Sequence, residues 1–367
     1  MVERHRILIG SLGAGMPTGA GTTRLSLGPD HPSQAGILEL HLTSSAGRIV
    51  SADPVVGAMH RGVEKLFEVR DYRQILMLAN RHDWQAPFFG ELAAARLIEQ
   101  QMGLPVPARA AAIRVLLAEH ARVSSHLGQL TWLAARAGTS LREQRARLRE
   151  SLVELSGNRV HPMVTRLGGL AVDPEPSALA ALSSALTAAA DRVATLPIPD
   201  DLHDLVPVPA ELIAPWGLSG PLVRATGRAV DLRHEDPGYA QVADLLRVHA
   251  DAGDAAARFT QLIGEVGDSA QLVARLLPQL PDGEIGTKLP KIVKIPEGSG
   301  HLLVEGAFGR TGFRIVSRGQ KTPWRMKLRS ASFQHLSALQ VLLPGVGVDQ
   351  VEAALASIGW VIGDVDK

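Results

Sequence analysis

One uninterrupted amphipathic stretch, VPARAAAIRVLLAEHARVSSHLGQLTWLAARAG at residues 106–138, limits the folds open to this chain more than any other feature. Apolar side chains recur along it at helical spacing from Ile113 to Leu133. A Gly-Leu-Pro break precedes the stretch, so the pattern predicts a separate helix that is long enough to form the centre of a core. Helical patterns dominate the sequence from Val63 to about Leu280.

Strand-like patterns flank this helical region. Residues 37–57 are typical of two strands around Ser44–Gly47, and residues 291–329 resemble strands that precede two short helices. We therefore predict an α+β fold that is mostly α-helical, with an N-terminal β-hairpin, a central helical bundle and a small β-rich C-terminal part. The predicted segments are a Gly/Thr-rich leader at 1–27, a β-hairpin with its loop at 28–62, a helical core at 63–284, a β-rich segment at 285–330, and C-terminal helices and a tail at 331–367.

The loop GPDHPSQAG, residues 28–36, precedes the first predicted hairpin strand. Proline fixes its own φ angle and glycine permits turns that are closed to other residues, so the loop holds His31 firmly in place. Such stiffness serves a tight hairpin alone, or it directs side chains toward a ligand. The loop by itself is compatible with both.

A second glycine-rich segment, RILIGSLGAGMPTGAG at residues 6–21, invites comparison with a dinucleotide-binding turn. Such a turn must open a helix whose N-terminus meets the pyrophosphate. Here Met-Pro-Thr-Gly-Ala-Gly-Thr-Thr follows, which is poor helix material. The pattern favours a flexible leader.

The composition excludes several classes of function. Lys and Arg total 38 against 37 Asp and Glu, so the charge balance does not suggest a nucleic-acid partner. There is no cysteine, which excludes disulfides, thiolate catalysis and thiolate-ligated clusters in this chain. The 13 histidines include no H-E-x-x-H spacing. The most apolar stretch, residues 177–190, is too short and too rich in Ala and Ser to span a membrane, so we expect a soluble chain that docks on a partner.

Candidate polar residues occur at 59–89, MHRGVEKLFEVRDYRQILMLANRHDWQAPFF. Most of its charges fit an ion-paired helix face, and a lone tryptophan such as Trp84 most often serves packing. Asp83 and Trp84 stand out because Pro87 closes the helical run close to them. His120 and His126 are six positions apart and do not share a helix face, so they are expected to be hydrogen-bonded helix residues.

These motifs occur together in the order of one family: GPDHPSQAG, HRGVEKLFEVRDYRQ, RHDW, GNRVHP, RLGGLAVD, PWGLSGPLVRATGRAVDLR, KTPWRMKLRSASF and the terminal GDVDK. Over residues 25–367 the chain resembles the D-type subunit family of NADH-quinone oxidoreductase, the respiratory complex I. That family is itself similar to the large subunit of nickel–iron hydrogenases, and the resemblance implies a hydrogenase-large-subunit-like fold. The lack of cysteine agrees, because complex I has lost the hydrogenase metal and its thiolate ligands.

The resemblance implies that the loop with His31 is a hairpin tip lining the cavity where the quinone headgroup is reduced. The family's second loop histidine is replaced here by Ala35, its headgroup-binding tyrosine falls on Trp84, and the acidic partner of that histidine falls on Arg136. Three positions associated with quinone protonation are therefore altered, so water or Asp83 is the expected proton source. The cavity lining that the resemblance implies is His31, Pro32, Ala35, Asp83, Trp84 and Arg136.

The side that receives electrons retains the family's residues. Arg81 of RHDW and His161 of GNRVHP match the arginine and histidine that approach a partner's [4Fe–4S] cluster. The resemblance implies that this chain holds no cofactor or metal of its own, takes quinone as substrate and is not catalytic alone. The implied partners are the iron–sulfur small subunit of the B type, a subunit of the C type and a membrane subunit of the H type.

We therefore expect a quinone-cavity subunit of a complex-I-like translocase, peripheral on the cytoplasmic side of the plasma membrane. The alternative is a quinone-inactive paralogue that serves interaction or assembly in a related redox complex. A free-standing hydrogenase-like enzyme is excluded, because the chain has no cysteine.

Overall fold

The computed structural model describes residues 2–11, 19 and 21–367 of the chain. Helix accounts for 46% and strand for 15% of it, with one sheet near the N-terminus and a small one near the C-terminus. The predicted α+β class is therefore confirmed. The remaining part of the predicted flexible leader, residues 12–18 and 20, lies outside the described residues.

The elements follow one another in three blocks. The first block contains the strands β1 (Val2–Ile9), β2 (Thr22–Leu25), β3 (Leu38–Ser45) and β4 (Arg48–Val55). The second contains the helices α1 (Val63–Phe67), α2 (Tyr72–Ala79), α3 (Pro87–Met102), α4 (Ala108–Arg136), α5 (Arg142–Ser156), α6 (Pro176–Val193), α7 (Ala210–Ile213), α8 (Pro221–Arg224) and α9 (Ala255–Leu276), with a two-strand ribbon of β5 (Thr165–Arg166) and β6 (Gly169–Leu170). The third contains β7 (Gly298–Glu305), β8 (Arg310–Ser317), β9 (Arg325–Arg329), α10 (Ala331–Ser337), α11 (Leu339–Leu342), α12 (Val351–Ser357) and α13 (Ile362–Val365).

The predicted hairpin is part of a larger sheet. Its strands β3 and β4 pair antiparallel around Ala46 and Gly47, whose φ angles of 50° and 75° are those of a tight two-residue hairpin turn. On the other side β3 pairs with β1, giving the strand order β2-β1-β3-β4. The flexible-leader interpretation of residues 6–21 is therefore wrong for residues 6–9, because the apolar run Ile7 to Ile9 is buried in this sheet.

The long helix α4 lies at the centre of the molecule, as the sequence predicts. Most of its residues are buried, and it packs against α3, α5, α6 and α9. A helix enclosed on all sides buries polar residues as well as apolar ones, and such groups must find internal partners. His120 and His126 are both buried on it and hydrogen-bonded, so that prediction is confirmed.

The C-terminal block combines the second sheet with short helices. The sheet has the order β7-β8-β9 with antiparallel pairs, and two of its strands pack on α3. The predicted strand KIVKI at 291–295 has no regular structure, whereas residues 331–367 form four short helices instead of the two expected.

The last residues of the chain are anchored to its first third. The Asp366 carboxylate accepts the backbone N–H groups of Gly57 and Met59 at 2.6 and 2.8 Å. In the described ranges, no helix combines the length and the apolar character needed to cross a membrane.

Candidate functional site

Two motifs singled out in the sequence meet at the C-terminal segment 361–364. A side chain added at Gly36, in the loop 28–36, would collide with Ile362. A side chain added at Gly363 would collide with the Trp84 ring and with the carbonyl oxygen of His82. The loop and the RHDW turn therefore contact adjacent residues of one short segment, and glycine is needed at both positions for this close approach.

His31 is fixed within the loop. Its Nδ1 atom accepts the backbone N–H of Ser33 at 3.2 Å and lies 2.8 Å from the Ser33 hydroxyl. Burial lowers the pKa of His31 to about 3, so its imidazole is neutral at physiological pH. Pro32 is also buried, whereas Ala35 is exposed.

Three ionisable groups cluster beside Trp84. His82 Nδ1 lies 2.5 Å from Asp364 Oδ1, and both side chains are buried. Asp83 accepts the backbone N–H groups of Gln85 and Ala86 at 2.9 and 3.0 Å. Burial, followed by the nearby charge of Asp364, raises the pKa of Asp83 to about 7. Asp83 is thus able to hold or release a proton near neutral pH, as a proton source must.

Trp84 offers a free hydrogen-bond donor. Its ring packs beside Phe308, Ala331 and Val361. Its indole Nε1 atom is buried and has no hydrogen-bond partner in the described part of the chain. An unpaired buried N–H is costly, so a ligand atom that accepts a hydrogen bond from it would be stabilised.

The structure brings Arg81 and His161 together around Asn80. Arg81 Nη1 donates to the Asn80 side-chain oxygen at 2.9 Å, and His161 Nδ1 donates to the Asn80 carbonyl at 2.8 Å. Burial and the positive charge of Arg81 lower the pKa of His161. The turn before Pro162 is itself capped by Asn158, whose side chain accepts the backbone N–H of His161 at 3.1 Å.

Comparison with known proteins gives a consistent result. The family model for the 49 kDa subunit of respiratory-chain NADH dehydrogenase matches residues 135–294 and 290–367. The NADH-quinone oxidoreductase D-type subunit 2 of Salinispora tropica is 41% identical over 95% of this chain and 96% of its own length. The D-type subunit 1 of Streptomyces coelicolor is 40% identical over 94% of each chain, and the D-type subunit of Carboxydothermus hydrogenoformans is 32% identical over 93% and 98%.

The chain belongs to the D-type subunit family of NADH-quinone oxidoreductases. The resemblance drawn from the motifs is thereby confirmed. Membership places this D-type subunit in a multi-subunit oxidoreductase of the respiratory chain. Across its described residues, it has no cluster of three or more His, Cys, Asp or Glu side chains placed to hold a metal ion.

Arg136 of this D-type subunit is directed to the surface. Its guanidinium lies 2.9 Å from Asp201 and stacks on the Trp132 ring with 5.1 Å to the centroid. About a third of its side chain is exposed. A place for Arg136 in the lining of the quinone cavity remains a prediction.

A cavity of about 50 Å³, partly open to solvent, borders Trp84. Its lining comes from α3, α4, α5 and residues 159–162, and it does not include residues 31–35, all of which are described. Arg145 of α5 lines this cavity and also interacts electrostatically with His31. That residues 31–35 and Trp84 line opposite walls of one quinone cavity remains a prediction.

Two residues of the site were not found from the sequence. Arg145 stands in REQRARLRE, where regularly spaced charges are typical of a solvent-exposed helix face. Asp364 belongs to the terminal GDVDK motif, but its partner His82 is 282 positions away. The family motif marks Asp364 as notable, whereas nothing local marks Arg145.

A buried ionic network supports the site from behind. Arg224 binds Glu265 at 2.7 Å and Glu305 at 2.6 Å, and all three side chains are almost inaccessible. His126 bonds to Glu265 at 3.0 Å and stacks on Phe308, the ring that also packs beside Trp84. Phe308 therefore connects Trp84 with His126, which belongs to the buried network.

Proposed function

We propose that this subunit forms part of the quinone cavity of a complex-I-like NADH-quinone oxidoreductase. Electrons would pass to quinone from a [4Fe–4S] cluster held by a subunit of the B type. The chain would work only in the complex, with subunits of the C and H types, as a peripheral component on the cytoplasmic side of the plasma membrane. The observation that carries the proposal is the unpaired, buried indole N–H of Trp84.

A quinone carbonyl accepts hydrogen bonds, and the Trp84 N–H is a donor of the required kind. It stands where the family has a tyrosine, so it replaces the hydrogen bond but not the acidic proton of the phenol. Asp83, with its pKa near 7, is the nearest group in the sequence able to supply a proton. Arg81 and His161 would face the partner's cluster, as the family motifs imply, and the hydrogen bonds of both residues to Asn80 support a shared position.

The direct test is quinone reduction by the purified assembled complex, with and without an inhibitor of the quinone site. Inhibitor-sensitive reduction supports the proposal. The double variant Ala35→His with Trp84→Tyr restores a group that titrates near neutrality and a phenol, so turnover should be kept or increased. A complex that assembles but reduces no quinone, with or without these changes, would instead indicate an interaction or assembly subunit.

A further inference from the structure

The cavity beside Trp84 has an unusual distribution of charge. Arg145 lies within it, and the exposed Arg149 and Arg159 stand at its edge. Its apolar surface comes from residues such as Leu117 and Leu152. The cavity thus combines an apolar wall with three cations.

Arg145 is buried but unsatisfied. Only 6% of the residue is exposed, and its Nε and Nη1 atoms have no hydrogen-bond partner within the described ranges. The carboxylate that attracts it is that of Asp30, which already lies 3.4 Å from Arg142. Burial and the neighbouring Arg149 lower the pKa of Arg145 to about 10, which leaves it charged at neutral pH.

The other deeply buried arginines show how this chain normally treats such groups. Arg114 binds Glu99, Arg122 and Arg233 bind Glu119, Arg224 binds Glu265 and Glu305, and Arg258 donates to the carbonyls of Val206 and Gly253. Each of them therefore has an internal acceptor, as the cost of burying a charge requires. Arg145 departs from this pattern, and its guanidinium borders a cavity that a ligand could fill.

We propose that this cavity binds a small organic anion with an apolar body, whose carboxylate is held by the Arg145 guanidinium. A guanidinium presents parallel N–H groups that match a carboxylate, and the apolar lining at the open side of the cavity contacts the rest of the ligand. Arg149 and Arg159 raise the positive potential at the mouth of the cavity and attract the anion. The proposal does not rest on quinone reduction, because the ligand is an anion and its main contact, Arg145, lies outside the expected quinone lining, although the cavity shares Trp84 with that lining.

The test is calorimetric titration of the full chain with benzoate, and with benzamide as a neutral compound of the same shape. We expect benzoate to bind and benzamide to bind about ten-fold more weakly or not at all. Arg145→Gln should weaken benzoate binding about ten-fold or more. The matched control is Arg147→Gln on the same helix, whose side chain is exposed and paired with Glu143 outside the cavity, and it should leave the affinity unchanged.

Failure of benzoate to bind overturns the proposal, as does equal affinity for benzoate and benzamide. Equal weakening by Arg145→Gln and Arg147→Gln also overturns it, because that result would reflect net charge alone.

Thermal unfolding provides a second criterion that does not need a functional complex. If Arg145 serves a ligand, the ligand-free protein carries a destabilising unpaired charge, so Arg145→Met should raise the melting temperature. Saturating benzoate should raise the melting temperature of the unchanged protein and not that of Arg145→Met. A lower melting temperature for Arg145→Met, with no benzoate effect on the unchanged protein, means that Arg145 is a structural residue and overturns the proposal.

Discussion

His82 Nδ1 and Asp364 Oδ1 lie 2.5 Å apart, although 282 positions separate the two residues in the chain. Asp364 also accepts the Ser332 hydroxyl at 3.2 Å, and its own carbonyl accepts the Ser330 hydroxyl at 2.9 Å. One carboxylate therefore joins the RHDW turn to the C-terminal block, directly beside Trp84.

The first prediction concerns this joint. Asp364→Asn replaces the charged acceptor of a buried hydrogen bond, so the free energy of unfolding should fall by about 1–3 kcal/mol. Urea denaturation of the subunit measures the change. The control is Asp201→Asn at the exposed pair with Arg136, which should cost no more than about 1 kcal/mol. Equal effects of the two substitutions would contradict a special role for Asp364.

The second prediction concerns the pH dependence of stability. The pKa of Asp83 is raised from 3.8 to about 7 in the folded protein. Between these values the folded state keeps a proton that the unfolded chain has lost, so the free energy of unfolding falls as the pH rises. The slope from this group is at most about 1.4 kcal/mol per pH unit.

Asp83→Asn retains an oxygen for the two backbone N–H groups and removes the titration. Relative to the unchanged protein, its stability should therefore improve as the pH rises from 4 to 7. Unfolding curves at several pH values measure this difference. Parallel stability profiles for the two proteins would show that Asp83 does not titrate in this range.

The third prediction concerns His161 in the assembled complex. Protonated imidazole beside a partner's cluster would favour the reduced cluster. At ~4 Å and an effective dielectric constant of ~20, the attraction is ~4 kcal/mol, which corresponds to an upper limit of ~170 mV for a one-electron couple.

Since the pKa of His161 is lowered, this effect should develop as the pH falls below neutrality. His161→Ala should therefore lower the cluster midpoint potential in acid and flatten its pH dependence, while the complex still assembles. Redox titration followed by EPR gives both quantities. A midpoint potential and a pH slope that match those of the unchanged complex would mean that His161 does not influence the cluster and only hydrogen-bonds to Asn80.

The fourth prediction tests the ionic network behind the site. Arg224→Met leaves Glu265 and Glu305 without the cation that they share, so the free energy of unfolding should fall by about 3–5 kcal/mol. The matched control Arg136→Met breaks an exposed pair and should cost about 1 kcal/mol or less. Chemical denaturation compares the two variants. A small loss for Arg224→Met would mean that the carboxylates take up protons or find other partners.

The sequence predicts best the helices and turns that depend on the spacing of nearby residues. The apolar period of residues 106–138 gives α4 at 108–136, and the turn at 46–47 joins two strands as expected. A short strand at the start of residues 6–21 is visible in the sequence, but its place in a sheet is not, because the buried run of β1 is only three residues long and glycines follow it at once. Its strand character depends on pairing with β3, which follows only after the glycine-rich leader and the loop 28–36.

The candidate site is predictable only as far as the family motifs reach. These motifs single out Arg81 and His161 together, and in the structure both side chains hydrogen-bond to Asn80. The burial of Arg145 could not be predicted, since the pattern of charges along a helix does not show which cationic side chain is buried. Its burial depends on how α5 packs beside α4, and packing between helices is not encoded in local spacing.

The anchoring of the last residues has a consequence for biosynthesis. Gly57 and Met59 are held by Asp366, and the contact spans more than 300 positions. Until residues 361–366 have been synthesised, the RHDW turn and the loop 28–36 therefore lack the segment against which they pack. The site can acquire its shape only after this segment has been synthesised, since contacts this distant in sequence close last. Any partner that docks on this surface would thus recognise chains that contain this segment and ignore shorter nascent ones.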